Sequence, residues 1–412
     1  MPLIPIHNSD NEGSPTQSQT YLPALIALGV LYFMMGFITC LNDTLVPFFK
    51  KGFTLSYSQS SLVQFYFFLT YGLMSIPAGK IVEKTGYKMG MVAGFFIAGL
   101  GAFLFYPASV YHQYPLFLAA LFIVAIGIVL LQVAANPYIT ILGPAQTASS
   151  RLTLIQGVGS IGTTIAPVFG AAVILSRLKE SSASSEAVRM PYIFIGLVLF
   201  AIAIVVARLK LPAIQHIPTA NPSIEGKKKS IFAHKNLKWG IVGLFMYVGA
   251  EVSIGTFLTN YIADTLQLPE NLANSYVAFY WGGMLIGRLI GSFLLKAIDP
   301  PKVLVAVGLL AMALIAVSIC SSGMLAVWSM VAVGLCNSIM FAVIFSLAVS
   351  GLGSYTTKAS GLLSTAIVGG AVISYVQGAI RDQYTWQIAF LIPLICYLYI
   401  VFYGWKGHQH RA

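Results

Sequence analysis

The chain has 412 residues, 58% of them apolar and only 8% charged, with a formal net charge of +11. About a quarter of the residues in a soluble domain are charged, so a soluble multi-domain protein is excluded. Apolar runs of about 20 residues, the length that crosses a bilayer, recur along the whole chain. The basic excess sits in the short loops between them, where it sets topology and does not mark a nucleic-acid binder.

Residues 1–20 are polar, with Asp10 and Glu12 and no Lys or Arg. They lack the basic start of a cleaved signal peptide and read as a flexible tail. Twelve spans follow, at about 22–48, 58–79, 89–108, 116–141, 151–175, 190–209, 238–262, 272–295, 302–321, 325–350, 359–380 and 386–405. The expected fold is an all-α membrane protein of twelve transmembrane helices in two six-helix halves, 21–209 and 238–412. A basic linker, 210–237, joins them and carries Pro212, Pro218, Pro222 and Lys227-Lys228-Lys229.

The first span closes with Asn42 beside Asp43. A charged Asp near the middle of a spanning helix costs about 2.5–3.5 kcal/mol on insertion scales. Lipid does not offset that cost, whereas a water-filled cavity, a polar ligand or a proton does. Asp43 is therefore expected on the wall of a hydrophilic pathway, with Asn42 contacting the cargo. Between spans two and three, Gly79, Glu83, Lys84, Gly86 and Lys88 form a short charged turn. Its expected role is a latch, in which charge pairs hold one access state and yield in the other.

The fourth span contains Gln132 and Asn136, four apart and so on one helix face, followed by Pro137. An amide both donates and accepts, which suits a sugar hydroxyl; amide pairing between helices is the alternative use. Gln156 in the fifth span and Asn337 in the tenth are further candidate wall amides. The glycines of Gly157-Val-Gly-Ser-Ile-Gly162 follow no strand and read as a helix-packing stripe, not a phosphate loop.

Glu251 falls almost at the middle of the seventh span, so it and Asp43 are the candidates for cation coupling. In the eighth span Tyr280 and Trp281 offer rings that could stack on a sugar face. The four cysteines lie within apolar runs without metal or redox spacing and read as packing residues. All six histidines lie in loops or tails, which argues against a membrane-embedded enzyme.

If the amino terminus is cytoplasmic, 17 Lys and Arg fall on the cytoplasmic side and 6 on the other, with Arg288 counted among the 17. The bias places both termini in the cytoplasm. The halves look duplicated. A shift of about 208 residues lays Asp43 on Glu251, and Gly162 and Gly170 on Gly370 and Gly378. Two six-helix halves in parallel repeat are a transporter plan, with the site between the halves near the midplane.

The 77–88 turn resembles the signature loop of the major facilitator superfamily. Several stretches resemble its fucose–galactose–glucose:proton symporter family: Leu41-Asn-Asp43, Ala134-Ala-Asn-Pro-Tyr138, Gly249-Ala-Glu-Val-Ser253 and Asn337-Ser-Ile-Met-Phe341. In the fucose branch an acid of the first helix and a glutamate of the fourth are tied to coupling. The first carries over to Asp43, while the second position is Gln132, which cannot titrate. The stretch around Gln132 and Glu251 is closer to the glucose/galactose branch, which implies that Glu251, with Asp43, takes the coupling role. In the family, proline usually follows the position of Phe341; here Ala342 does.

The resemblance implies a monomeric importer of a hexose (glucose, galactose, or a related sugar such as fucose or N-acetylglucosamine) in a bacterial-type inner membrane. It works by alternating access with no cofactor, with the proton as coupling ion and sodium as the alternative. A drug or other-solute facilitator and a nontransporting sugar sensor are the other readings.

Overall fold

A computed structural model describes residues 22–53, 57–174, 184–209, 211, 231, 234–268 and 270–409. The N-terminal tail and nearly all of the linker fall outside the described residues. The side chains of Asn42 and Asp43 also fall outside, although their backbone is part of the first helix.

No strand occurs among the described residues. A backbone in lipid must satisfy its own polar groups, and a helix does so within one segment. The first half contains α1 (Leu22–Gly52), α2 (Tyr57–Phe103), α3 (Phe105–Val110), α4 (Tyr114–Ile141), α5 (Ala148–Phe169) and α6 (Arg189–Arg208). The second contains α7 (Lys235–Leu266), α8 (Glu270–Ala297), α9 (Pro300–Cys320), α10 (Gly323–Asn337) and α11 (Met340–Val349). It continues with α12 (Thr356–Thr365), α13 (Gly369–Gln383), α14 (Trp386–Ala389) and α15 (Leu391–Phe402).

Among the described residues, ten segments are long and apolar enough to span a bilayer. One of them, Phe65–Val110, holds two crossings, and α5 supplies the remaining one of the twelve. The first turns of α5 carry Ser149, Ser150, Arg151, Thr153 and Gln156. The repeat is visible in the element starts: α5 begins at Ala148 and α12 at Thr356, 208 residues apart.

Two expectations change in detail. The charged turn between spans two and three is as short as a turn can be: two helices meet at a kink whose one non-helical residue is Gly86 (φ 82°, ψ 163°). Glycine adopts that positive φ without steric cost. Arg288, counted with the cytoplasmic loops, lies inside α8, so the count becomes 16 against 6 and the bias keeps its sign.

Within the first half, α1 packs on α5, and α2 on α4 and α6. Within the second, α7 packs on α11, α13 and α15, and α10 on α8 and α9. On the α1–α5 seam a Cβ at Gly162 would run into the Phe33 carbonyl, so the glycine stripe lets two backbones touch. Exposed large apolar side chains such as Ile26, Phe194, Leu197, Leu310, Leu325 and Ile395 cover the outside, as lipid requires.

The halves meet along α5–α8, α5–α11, α4–α12 and α2–α12/α13. These contacts gather at the end of the bundle that carries Gly86. At that end Gly79 faces Gly361 so closely that a Cβ on Gly79 would lie 3.4 Å from the Gly361 Cα. Beside them the Thr357 hydroxyl donates to the Tyr87 hydroxyl at 2.8 Å. Ser149 of α5 bonds Ser346 of α11, and the Ser150 hydroxyl donates to the Ser292 carbonyl of α8.

Candidate substrate and coupling site

The polar residues at the seam divide into those whose hydrogen bonds are complete and those left with unpaired atoms. A buried polar atom without a partner is costly, so the division separates scaffold from binding surface.

Asn337, at the end of α10, is fully buried and fully used. Its Nδ2 donates to the Tyr280 hydroxyl at 2.9 Å, its Oδ1 accepts from the Tyr397 hydroxyl at 2.6 Å, and its backbone carbonyl accepts from the Tyr247 hydroxyl at 3.1 Å. Tyr280 is 0% exposed, and its hydroxyl donates to the Glu251 backbone carbonyl at 3.1 Å. This knot ties α7, α8, α10 and α15 together around the peptide of Glu251. Tyr280 and Asn337, two expected sugar contacts, therefore sit in the scaffold that fixes Glu251. Trp281 is 46% exposed and remains the freer ring.

Glu251 is half-buried at the middle of α7. The Tyr247 hydroxyl, one turn away on α7, donates to the Asn337 carbonyl at 3.1 Å, and the positive charge of Arg288 acts on the Glu251 carboxylate.

Unpaired buried polar atoms occur in both halves, with Ser364 on α12 and Ser374 and Gln377 on α13 among those of the second, and in the first half they include three amides. Asn136 is 1% exposed; its Oδ1 accepts from the Tyr32 hydroxyl of α1, and its Nδ2 has no partner. Gln132, one turn away on α4, and Gln156 on α5 each keep a buried Oε1 without a partner. The three amides thus present two unpaired acceptors and one unpaired donor, the set that a hydroxylated ligand or ordered water completes.

Pro137 has a second consequence. It has no N–H, so the Val133 carbonyl loses its helical donor. That carbonyl instead accepts from the Ser360 hydroxyl of α12 at 3.0 Å, which joins α4 to the other half.

Arg151, 6% exposed, fastens the turn after α4. Its guanidinium donates to the carbonyls of Ile139 (3.2 Å) and Thr140 (2.7 Å), acceptors at the end of α4, and to the Pro144 carbonyl (2.8 Å) of the following turn. The adjacent Ser149 and Ser150 thereby meet the second half in a fixed position.

Gln132 and Asn136 stand one turn apart on α4 and Gln156 on α5, each with an open valence, while the Glu251 backbone carbonyl, Tyr280 and Asn337 share one network. The charges of the expected latch stand apart from these. Glu83 and Lys84 are exposed, Lys88 is half-buried, and none of the three forms an ion pair among the described residues. In this state Gly79, Tyr87 and Thr357 make the contact at that level. Sequence reasoning missed Tyr32, Tyr247, Tyr397 and Arg288. Arg288 had a signal, being an ionised residue inside a predicted span; the tyrosines had none among 21.

Two pseudo-repeated helical halves with an acid and unpaired amides on their seam define the class: an alternating-access membrane carrier. The chain belongs to the Major Facilitator Superfamily, whose profile matches residues 28–375. It is 47% identical over 411 residues to a glucose/galactose transporter of Brucella abortus biovar 1 (strain 9-941), covering 98% of this chain and 99% of that protein. It is 33% identical over 412 residues to the L-fucose-proton symporter of Escherichia coli (strain K12), covering 94% of each. The crystal structure of the major facilitator transporter FucP in the outward conformation superposes with a TM-score of 0.86 at 30% identity. That match covers 95% of this chain and 100% of that one.

Proposed function

We propose that the protein is a secondary active importer of a hexose (glucose, galactose, or a related sugar such as fucose or N-acetylglucosamine) that moves with a proton. The observation that carries this reading is the set of unpaired, buried amide atoms on Gln132, Asn136 and Gln156 inside the spans of the first half, in a chain that also holds Glu251 inside α7. A drug facilitator has no use for buried acceptors left open, because an apolar cargo cannot offset their desolvation. The relatives' names support a sugar as cargo and, for the fucose branch, a proton as driver.

The cycle follows from the geometry. With the halves fastened at the Gly86 end, the opposite end admits cargo. The sugar completes the amide valences, and a proton neutralises Glu251, assisted by Asp43 and Asn42 of α1. Neutralisation lowers the cost of closing dry helices over the site. The halves, 21–209 and 238–412, then rock as bodies, and the Gly79–Lys88 segment parts from α12 as Glu251 gives up its proton. Sugar and proton leave on the cytoplasmic side, where both termini lie, and the protein works as a monomer in a bacterial-type inner membrane.

The test is uptake by proteoliposomes across a hexose panel, with pH and sodium gradients imposed separately. An inward proton gradient should drive accumulation of at least one hexose, and Glu251→Gln should abolish it. Absence of hexose uptake, or accumulation driven by sodium alone, would overturn the reading.

A further inference from the structure

An arginine inside a spanning helix is costly unless its charge has a use. Arg288 lies in α8, and its guanidinium is divided between two bodies. Its Nε donates to the Ser338 carbonyl at 3.3 Å, within its own half. Its Nη1 donates to the Ser160 hydroxyl on α5, in the other half. Its charge also acts on the Glu251 carboxylate, yet the two groups are not in ion-pair contact in this state. Room for the chain comes from small neighbours. A Cβ at Gly157 would lie 3.6 Å from the Arg288 Cβ, and a Cβ at Gly287 would run into the Ser338 side chain. Arg288 therefore stands between an acceptor on the opposite half and a carboxylate on its own, bonded to the first and within electrostatic reach of the second.

We propose that Arg288 is the coupling counter-charge, leaving Ser160 for the Glu251 carboxylate when that carboxylate loses its proton. Each protonation state then selects one contact. A protonated Glu251 leaves Arg288 on Ser160, holding α8 to α5. An ionised Glu251 draws Arg288 away and unfastens the two helices, so the cytoplasmic side opens as the proton departs. The resulting pair is nearly neutral, which lets the unloaded carrier return without moving an isolated charge through a dry seam.

The other titratable groups around Glu251 are Tyr247 on α7, Tyr280 on α8, Cys336 on α10 and Tyr397 on α15. Phenols and thiols ordinarily titrate at about 10 and 8.5, above the pH range of the test below. Asp43 of α1 is a further acid, with its side chain outside the described residues. On α13, Arg381 is engaged with Asp264 at the far end.

The inference deepens the symport reading and rests on it, so the test is run without sugar. Spin labels on Lys84→Cys and Lys358→Cys, both exposed and on opposite halves, report the gap at the Gly86 end in a background freed of native cysteines. Distance distributions are recorded in liposomes from pH 5.5 to 7.5. The wild type should show the long-distance population rising about three- to tenfold with pH. Arg288→Gln and Glu251→Gln should each abolish that rise, Arg288→Lys should keep part of it, and Ser160→Ala should raise the long-distance population at every pH. An Arg288→Gln response equal to the wild type, or a wild type with no response, would overturn the proposal. If Arg288→Gln does not fold, a wild-type response in Arg288→Lys together with an unchanged Ser160→Ala would overturn it equally. Failure of the hexose panel with this pH response intact would refute the cargo and spare the switch.

Discussion

Replacing Ser360 by Ala removes one hydroxyl from α12 and leaves the Val133 carbonyl without a donor. The helix cannot replace it, because Pro137 stands four residues on with no N–H to give. Hydrogen bonds between membrane helices are worth about 0.6 kcal/mol on average and at most about 1.7. Four other hydrogen-bond contacts hold the same seam, Ser149–Ser346, Ser150–Ser292, Thr357–Tyr87 and Arg288–Ser160. Ser360→Ala should therefore tilt the equilibrium without abolishing it, raising the cytoplasm-open population about threefold. The Lys84–Lys358 spin-label distance measures that population directly. Pro137→Ala should move it in the same direction, since the restored N–H competes for the Val133 carbonyl. The double substitution should do little more than either alone, because both act on one bond. An unchanged distribution in Ser360→Ala, or fully additive shifts in the double variant, would refute the reasoning.

Other outcomes follow from the division between open and completed valences. Gln132→Ala and Gln156→Ala should each raise the KM for sugar about three- to tenfold, the worth of a lost neutral hydrogen bond, with the protein amount in the membrane unchanged. Asn337→Ala should instead lower Tm and folded yield, because it strips partners from Tyr280 and Tyr397 at about 1–3 kcal/mol per unpaired group; sugar titration and thermal melts in detergent separate the two classes. Gly361→Val places a Cβ 2.9 Å from the Ser75 carbonyl and should hold the Gly86 end open, raising alkylation of a cysteine placed at Thr357. Arg151→Met takes the donor from two helix-end carbonyls, Ile139 and Thr140, and should cost about 2 kcal/mol or more, read as a fall in Tm.

The span pattern was legible because lipid tolerates so little variation: an apolar run of about 20 residues has few other uses. Glu251 was legible for the same reason, since an acid in oil stands out. What the sequence hid were the partners. Arg288 obeys the same rule as Glu251 but was absorbed into the topology count, where a basic residue near a span end looks ordinary. The roles of Asn337 and Tyr280 depend on which neighbours saturate them, and Tyr397 lies 60 residues from Asn337, beyond any local pattern. Pro137 was legible as a disturbance of α4. That its freed carbonyl would be taken up by Ser360 required the packing of the two halves. Gly86 was expected in a turn, and a single positive φ there joins the two helices and redirects the chain.

The central claim is that the proton carried with the sugar sits on Glu251. The most direct measurement is sugar-induced proton movement in proteoliposomes loaded with a pH dye and held without an imposed gradient. Adding the transported hexose outside should acidify the lumen in step with sugar entry in the wild type, and Glu251→Gln should show no proton signal. Sugar entry by the wild type with no pH change, or an undiminished proton signal in Glu251→Gln, would contradict the account.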